Sequence, residues 1–185
     1  MILYLLLSGI FIVFGFLVFR VVVRNDYLKK DKLSTVSYSL EVIVFAIHAN
    51  MMYLFNPAKW PTFPDLPENF ILKIVASIVL CFGVIILLIS WFSMGTKESF
   101  GQDKNNLRTN GIYSYTRNPQ LVGYGILILS IVIIYFNWES VGWFLQFIII
   151  SYFMIQSEEE FLKHIYGIEY EKYCAKVPRI IRLIK

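Results

Sequence analysis

The chain has 185 residues, 57% of them hydrophobic and 17% aromatic, and carries a formal charge of +4. Soluble domains are roughly 45–50% apolar, so this composition excludes an ordinary soluble enzyme and implies a small integral membrane protein, one bundle in size. The two cysteines, Cys81 and Cys174, fall in an apolar run and a polar tail, so no disulfide is expected, and no C-x-x-C or H-E-x-x-H spacing suggests a metal.

Five apolar runs follow in chain order, at residues 2–23, 36–55, 70–91, 121–136 and 141–155. The first and third have the roughly 20 residues a bilayer crossing needs. The first lacks a basic leader and a small-residue cleavage site and reads as a retained helix. The second is interrupted by Glu41, His48 and Asn50, polar groups that are rare at membrane depth and are functional candidates for that reason. His48 is assigned to substrate, with a buried hydrogen bond to a neighbouring helix as the alternative. Residues 56–67 hold Pro57, Pro61, Pro64 and Pro67 with Trp60 and Phe63, and read either as a stiff cap lying in the outer interface or as a plain connector. Asn137, Trp138, Glu139 and Ser140 separate the last two runs as a tight helical hairpin. The expected fold is all-α: a polytopic membrane helical bundle of about five transmembrane helices with a helical C-terminal tail. It forms one membrane domain over residues 1–185, with three spans in 1–91 and the loop, hairpin and tail in 92–185.

Of the 17 Lys and Arg, 15 lie in residues 20–32, 97–117 and 163–185, leaving Lys59 and Lys73 elsewhere. The positive-inside rule then puts the N-terminus outside and the long polar segments in the cytosol. The positive charge reports topology and gives no reason to expect nucleic acid.

Two polar clusters flank the hairpin. Residues 111–123 read GIYSYTRNPQLVG. Arg117 is a permanent cation, Asn118 a good N-cap and Pro119 a good first helical residue, so a helix should begin there, either with an N-terminus that can hold an anion or simply as a capped transmembrane helix with a flanking arginine. After the last run the chain reads QSEEEFLKHIYGIEYEKYCAKVPR. The helix should continue past Glu158, Glu159 and Glu160 and stop at Gly167. Glu159 with Lys163 and Glu160 with His164 have the i,i+4 spacing that lets them pair along one face, the alternative being that the three carboxylates form a solvated helix end. A short helix should follow, and Tyr166, Tyr170 and Tyr173 either line an aromatic pocket or anchor the tail at the interface. The final IIRLIK suits interfacial attachment. Because the hairpin has two short arms, both clusters must meet at one depth. A cation, a helix N-terminus, carboxylates and tyrosines together suit a zwitterionic ligand with an aromatic part, such as S-adenosylmethionine.

These segments resemble the paired signature of the isoprenylcysteine carboxyl methyltransferase and phospholipid methyltransferase superfamily, small integral membrane enzymes that use S-adenosylmethionine. Gly111, Tyr113, Arg117, Asn118, Pro119 and Gly123 match the first half. Glu158, Glu159, Leu162, Gly167, Glu169, Tyr170, Tyr173, Pro178 and Arg179 match the second. The stretch from Gly95 is similar to the family's Gly-Arg-Ser segment, with Thr96 in place of the Arg. Asn118 stands where the carboxyl branch mostly has His, Leu121 where Tyr is usual, and Tyr166 where Phe is usual. Asn cannot serve as a base near neutral pH, so proton transfer at that position is not expected.

The resemblance covers residues 91–179. It implies methyl transfer from S-adenosylmethionine, leaving S-adenosylhomocysteine, to a lipid-like or membrane-embedded acceptor, of carboxylate or amine type, entering sideways from the bilayer. It implies Arg117, Asn118 and Glu159 as catalytic residues. Gly111, Tyr113, Arg117, Asn118, Pro119, Gly123, Glu158, Glu159, Tyr170 and Tyr173 would bind the cofactor, and His48 and Tyr124 would face the substrate. No metal is implied. The competing readings are an NADPH-dependent lipid or steroid reductase, which would usually need more spans, and a non-catalytic relative, suggested by Leu121 and Thr96.

Overall fold

The computed structural model describes residues 2–56, 58, 62, 64–94 and 107–181. Helix α1 (Ile2–Phe16) passes through a π-helical stretch (Leu17–Val23) into α2 (Arg24–Lys30). Next come α3 (Thr35–Asn50), a 3-10 turn (Met51–Leu54) and α4 (Phe70–Met94). After a 3-10 turn (Gly111–Ser114) the chain forms α5 (Pro119–Ile134), α6 (Trp138–Tyr166) and α7 (Ile168–Lys176). The regular structure of the described residues is all helical, as the apolar runs predict.

Among the described residues four helices are long and apolar enough to cross a membrane: Ile2–Lys30, Thr35–Leu54, Phe70–Ser93 and Trp138–Tyr166. They are the first, second, third and fifth of the apolar runs, and the all-α membrane bundle expected from those runs is observed. The fourth apolar run makes α5, of 16 residues, which reaches roughly 24 Å at ~1.5 Å per residue, short of a hydrocarbon layer of about 30 Å. Its length is bounded by Pro119 at one end and by Asn137, which starts the next helix, at the other. Leu3, Leu6 and Ile10 on α1 and Ile71, Ile78 and Phe82 on α4 lie on the outer surface, where lipid rather than water is their natural solvent. Phe136 and Trp138 are exposed at the hairpin turn, a position that suits headgroup depth.

The connections follow from capping chemistry. Asn137 Oδ1 accepts from Ser140 N at 2.7 Å while Ser140 Oγ accepts from Asn137 N at 3.1 Å, a closed capping box. Ser34 caps α3, and the Asp26 carboxylate accepts from both the Ser34 and Ser37 hydroxyls. Gly167, at φ +49°, ends α6 and lets α7 turn away.

The core of the bundle packs Phe11, Phe19, Val44, Ile128, Trp143 and Ile150 between α1, α3, α5 and α6. Helix α4 packs chiefly against α5. There two glycines let the backbones touch. A Cβ on Gly83 would stand 2.8 Å from Leu127 N, and one on Gly123 would stand 2.9 Å from Leu87 N. This is the small-residue packing that joins helices in lipid, where hydrophobic burial supplies no drive.

Gly83→Ala is expected to push α4 off α5 and to cost about 1–3 kcal/mol, the range for an overpacked contact. Thermal unfolding in detergent reads the loss. Gly9→Ala, where nothing lies within 4 Å of the added methyl, should leave the transition unmoved.

Candidate functional site

The loop before α5 is tied to the end of the chain by main-chain groups. Arg117 N donates to Pro178 O at 3.0 Å. Thr116 Oγ1 and Asn118 Nδ2 both donate to Arg179 O, at 3.2 and 2.8 Å. Asn118 does occupy the N-cap position of α5, and Pro119 is its first residue. The expected capping bond is absent, because the Asn118 side chain is engaged by the tail.

These ties set the Arg117 guanidinium against α6 and α7. Its Nη1 lies 2.9 Å from Glu159 Oε1, 3.2 Å from Tyr170 Oη and 2.7 Å from Cys174 Sγ. Arg179 closes on the same carboxylate, with Nε 2.9 Å from Oε1 and Nη2 2.6 Å from Oε2. Glu159 therefore bridges two guanidinium groups. This corrects the expected Glu159–Lys163 pair: Lys163 turns to Glu171 at 2.8 Å. The expected Glu160–His164 pair is also replaced. Glu160 joins Arg20 at 2.7 Å and Arg24 at 2.5 Å, while His164 faces Asp31 at 3.5 Å. In both cases a planar guanidinium from a segment distant in sequence offers a carboxylate a two-pronged partner, which a flexible neighbour four residues along does not match.

Tyr170 and Tyr173 are buried beneath this cluster. Burial, and for Tyr170 the Glu159 charge next, holds the Tyr170 phenol well above its ordinary range, and burial pushes Tyr173 up to about 12. Both stay protonated at neutral pH, so Tyr173 Oη donates to Tyr113 O at 2.7 Å. The Arg179 guanidinium is driven still higher by its bond to Glu159.

The cluster forms one end of a cavity of about 860 Å³. Of the residues predicted to bind cofactor, Tyr113, Arg117, Asn118, Pro119, Glu158, Glu159, Tyr170 and Tyr173 line it. Tyr124 lines it as well. The other end is apolar, walled by Phe45, Ala46 and Ala49 of α3 and by Val84, Leu88 and Trp91 of α4. One space thus runs from an ionic cluster to a slot between two helices that face lipid.

Three predicted residues are placed elsewhere. Gly111, at φ +63°, makes the turn that delivers the loop. Gly123 serves the contact with α4. His48 is 1% exposed and stacks on Trp143 with ring centroids 5.0 Å apart. A carbonyl only accepts, so His48 Nε2 donates to Trp143 O at 3.1 Å, and Nδ1 accepts from Tyr124 Oη at 3.3 Å. Trp143 Nε1 in turn donates to His48 O at 2.7 Å. The interhelical hydrogen bond is the alternative that the protein adopts. Asn50, the third polar residue of that run, folds back to Ala46 O at 2.8 Å.

The sequence reading gave Arg179 no partner, although its place in the Pro-Arg end of the tail was the available signal. Gly95, Thr96, Lys97, Lys104, Pro57, Lys59, Trp60, Pro61 and Phe63 lie outside the described residues, as do Arg182 and Lys185.

Residues 71–169 match the family model described as phospholipid methyltransferase. The chain is 31% identical over 164 residues to a protein-S-isoprenylcysteine O-methyltransferase of Dictyostelium discoideum, covering 80% of this chain and 65% of that protein. It is 32% identical over 134 residues to the protein of the same name from Schizosaccharomyces pombe, covering 66% of this chain and 56% of that protein. The chain therefore spans less than two thirds of the length of either relative. No solved structure matches it.

His48→Ala should lower stability by about 2–5 kcal/mol, the range for truncating a large buried side chain, measured by unfolding in detergent. Because His48 does not line the cavity, ligand binding there should change less than twofold in the variant that remains folded.

Proposed function

Because the chain belongs to the phospholipid methyltransferase family, we propose that it moves a methyl group from S-adenosylmethionine to a lipid-like acceptor reached from the bilayer. The observation that carries this reading is the single cavity, ionic at one end and apolar at the other. Its volume of about 860 Å³ stands high in the roughly 300–1,000 Å³ range of ligand pockets. That leaves room for a polar donor and the head of an acceptor side by side.

The residues present fit the donor. Arg117 Nε is buried and has no hydrogen-bond partner among the described residues, so the guanidinium keeps a donor for a ligand carboxylate. Arg179 stands 2.6 Å from the shared carboxylate and backs Arg117. Glu158 or Glu159 takes an ammonium or ribose hydroxyl, and the protonated phenols of Tyr170 and Tyr173 cover an aromatic base. The N-terminus of α5 beside Asn118 adds a positive dipole end. When bound, the donor supplies an electrophilic methyl group on a sulfonium. The protein's own contribution is alignment and exclusion of water, and alignment is worth on the order of 7–11 kcal/mol in well-oriented systems. Tyr124, between the two ends, faces the acceptor. The Lys and Arg distribution supports a site facing the cytosol.

S-adenosylhomocysteine should raise the unfolding temperature of the purified protein, by the equivalent of about 2.7 kcal/mol at a hundredfold excess over Kd. NADPH should leave it unchanged. Arg117→Ala and Glu159→Ala should each abolish the shift while far-ultraviolet circular dichroism stays helical. Normal binding by both variants means the pocket has been assigned wrongly.

A further inference from the structure

Glu158 and Glu159, the two carboxylates of α6 that line the cavity, stand between two residues that do not line it. Ser157 and Glu160 both bond to the first helix instead. At about 100° per residue, the direction midway between positions 157 and 160 lies opposite the direction midway between 158 and 159. Whatever holds the outer pair therefore sets where the inner pair points.

The holder is Arg20, in the π-helical stretch that follows α1. Its Nη1 donates to Ser157 Oγ at 3.0 Å and its Nη2 to Glu160 Oε1 at 2.7 Å, so one planar fork spans a turn of α6. Ser157 Oγ donates in turn to Phe19 O at 2.8 Å, and both residues are fully buried. The same carbonyl accepts from Arg24 N five residues on, the spacing that defines a π-helix. Arg24 Nε then meets the second oxygen of Glu160 at 2.5 Å. Single π-helical turns are frequent at functional sites, and this stretch brings a carbonyl and two guanidinium groups to one turn of α6. None of Arg20, Arg24, Ser157 and Glu160 lines the cavity.

The network is placed to orient as well as to join. The same two helices are fastened separately at the far end, where Tyr4 Oη donates to Glu139 O at 2.8 Å and Gln146 Nε2 to Ser8 Oγ at 2.7 Å. Trp143, Phe147 and Ile150 pack into the core between the two ends. These contacts do not involve Arg20. What Arg20 adds is a fixed angle of α6 about its own axis beside the site, where a misplacement of about 1 Å can cost on the order of a hundredfold in rate.

We propose that Arg20 is a positioning residue: through Ser157 and Glu160 it sets the rotation of α6 that presents Glu158 and Glu159 to the ionic end of the cavity. This rests on the methyl-transfer reading of that cavity. It adds a residue that lies outside the cavity and outside the 71–169 segment matched by the family model.

The test is isothermal titration of the full chain in detergent with S-adenosylhomocysteine, because stoichiometry reports the folded fraction and Kd reports the site. Arg20→Met should raise Kd tenfold or more at unchanged stoichiometry. Tyr4→Phe loosens the same helix pair at the far end, and should lower the unfolding temperature while Kd stays within twofold. A role in stability alone would instead lower the stoichiometry of Arg20→Met and leave its Kd within twofold of wild type. That result, or an equal rise in Kd for Tyr4→Phe, overturns the positioning role and leaves methyl transfer standing. Where Arg20→Met does not fold, Glu160→Gln decides in its place: a Kd raised threefold or more supports the role, and a smaller change overturns it. A wild-type protein that does not bind S-adenosylhomocysteine removes the methyl-transfer reading and this role with it.

Discussion

The ion triad of Arg117, Glu159 and Arg179 is the contact through which the start of α5, the end of α6 and the tail share one place. Its two halves differ in weight. Arg117 and Glu159 have side chains only 11% and 17% exposed, and removing one member of a shielded pair typically costs about 3–5 kcal/mol because the other is left uncompensated. Arg179 is 48% exposed, and water screening holds such a pair to roughly 0–1 kcal/mol. The inner half therefore fixes the geometry, and the outer half holds the tail over it.

The rest of the bundle keeps that end in register with the opposite one. Arg20 reaches both Ser157 Oγ at 3.0 Å and Glu160 at 2.7 Å, and Ser157 Oγ donates to Phe19 O at 2.8 Å. At the far end Tyr4 Oη donates to Glu139 O at 2.8 Å, and Gln146 Nε2 donates to Ser8 Oγ at 2.7 Å. Helix α6 is thus riveted to the first helix near both its ends. The slot beside α4 borders the helix that packs chiefly on α5, so one wall of the cavity is built independently of this rivet.

Much of this was legible in the sequence, and the reasons are local. Hydrophobic runs mark helices in lipid because every backbone group must be bonded within its own segment. Asn137 with Ser140, Pro119 and Gly167 punctuate those helices through backbone chemistry that needs no distant partner. The meeting of the two polar clusters was legible too, since a hairpin with short arms leaves no other arrangement. What failed were the side-chain pairings. Spacing along α6 suggested Lys163 and His164 as partners, but Arg179, Arg20 and Arg24 come from segments up to 140 residues away. His48 and Gly123 are placed by packing in the same way. Each looks like a site residue by composition, yet the packing of one helix on another decides what it touches. Glu41 was flagged by its depth, but its facing a cavity rather than a neighbour depends on the gap between α3 and α4, which periodicity does not encode.

The tail is held to the loop before α5 mostly through the carbonyl oxygens of Pro178 and Arg179. Carbonyls are the same whatever side chain they carry, so this fastening is blind to residue identity and sensitive to count. Adding or deleting one position within α7 would turn everything beyond it by about 100° and carry the fastening past its donors. The segment between Glu159 and Arg179 therefore behaves as a ruler. Sequence drift along its outer face is cheap, while a change in its length unlatches the roof.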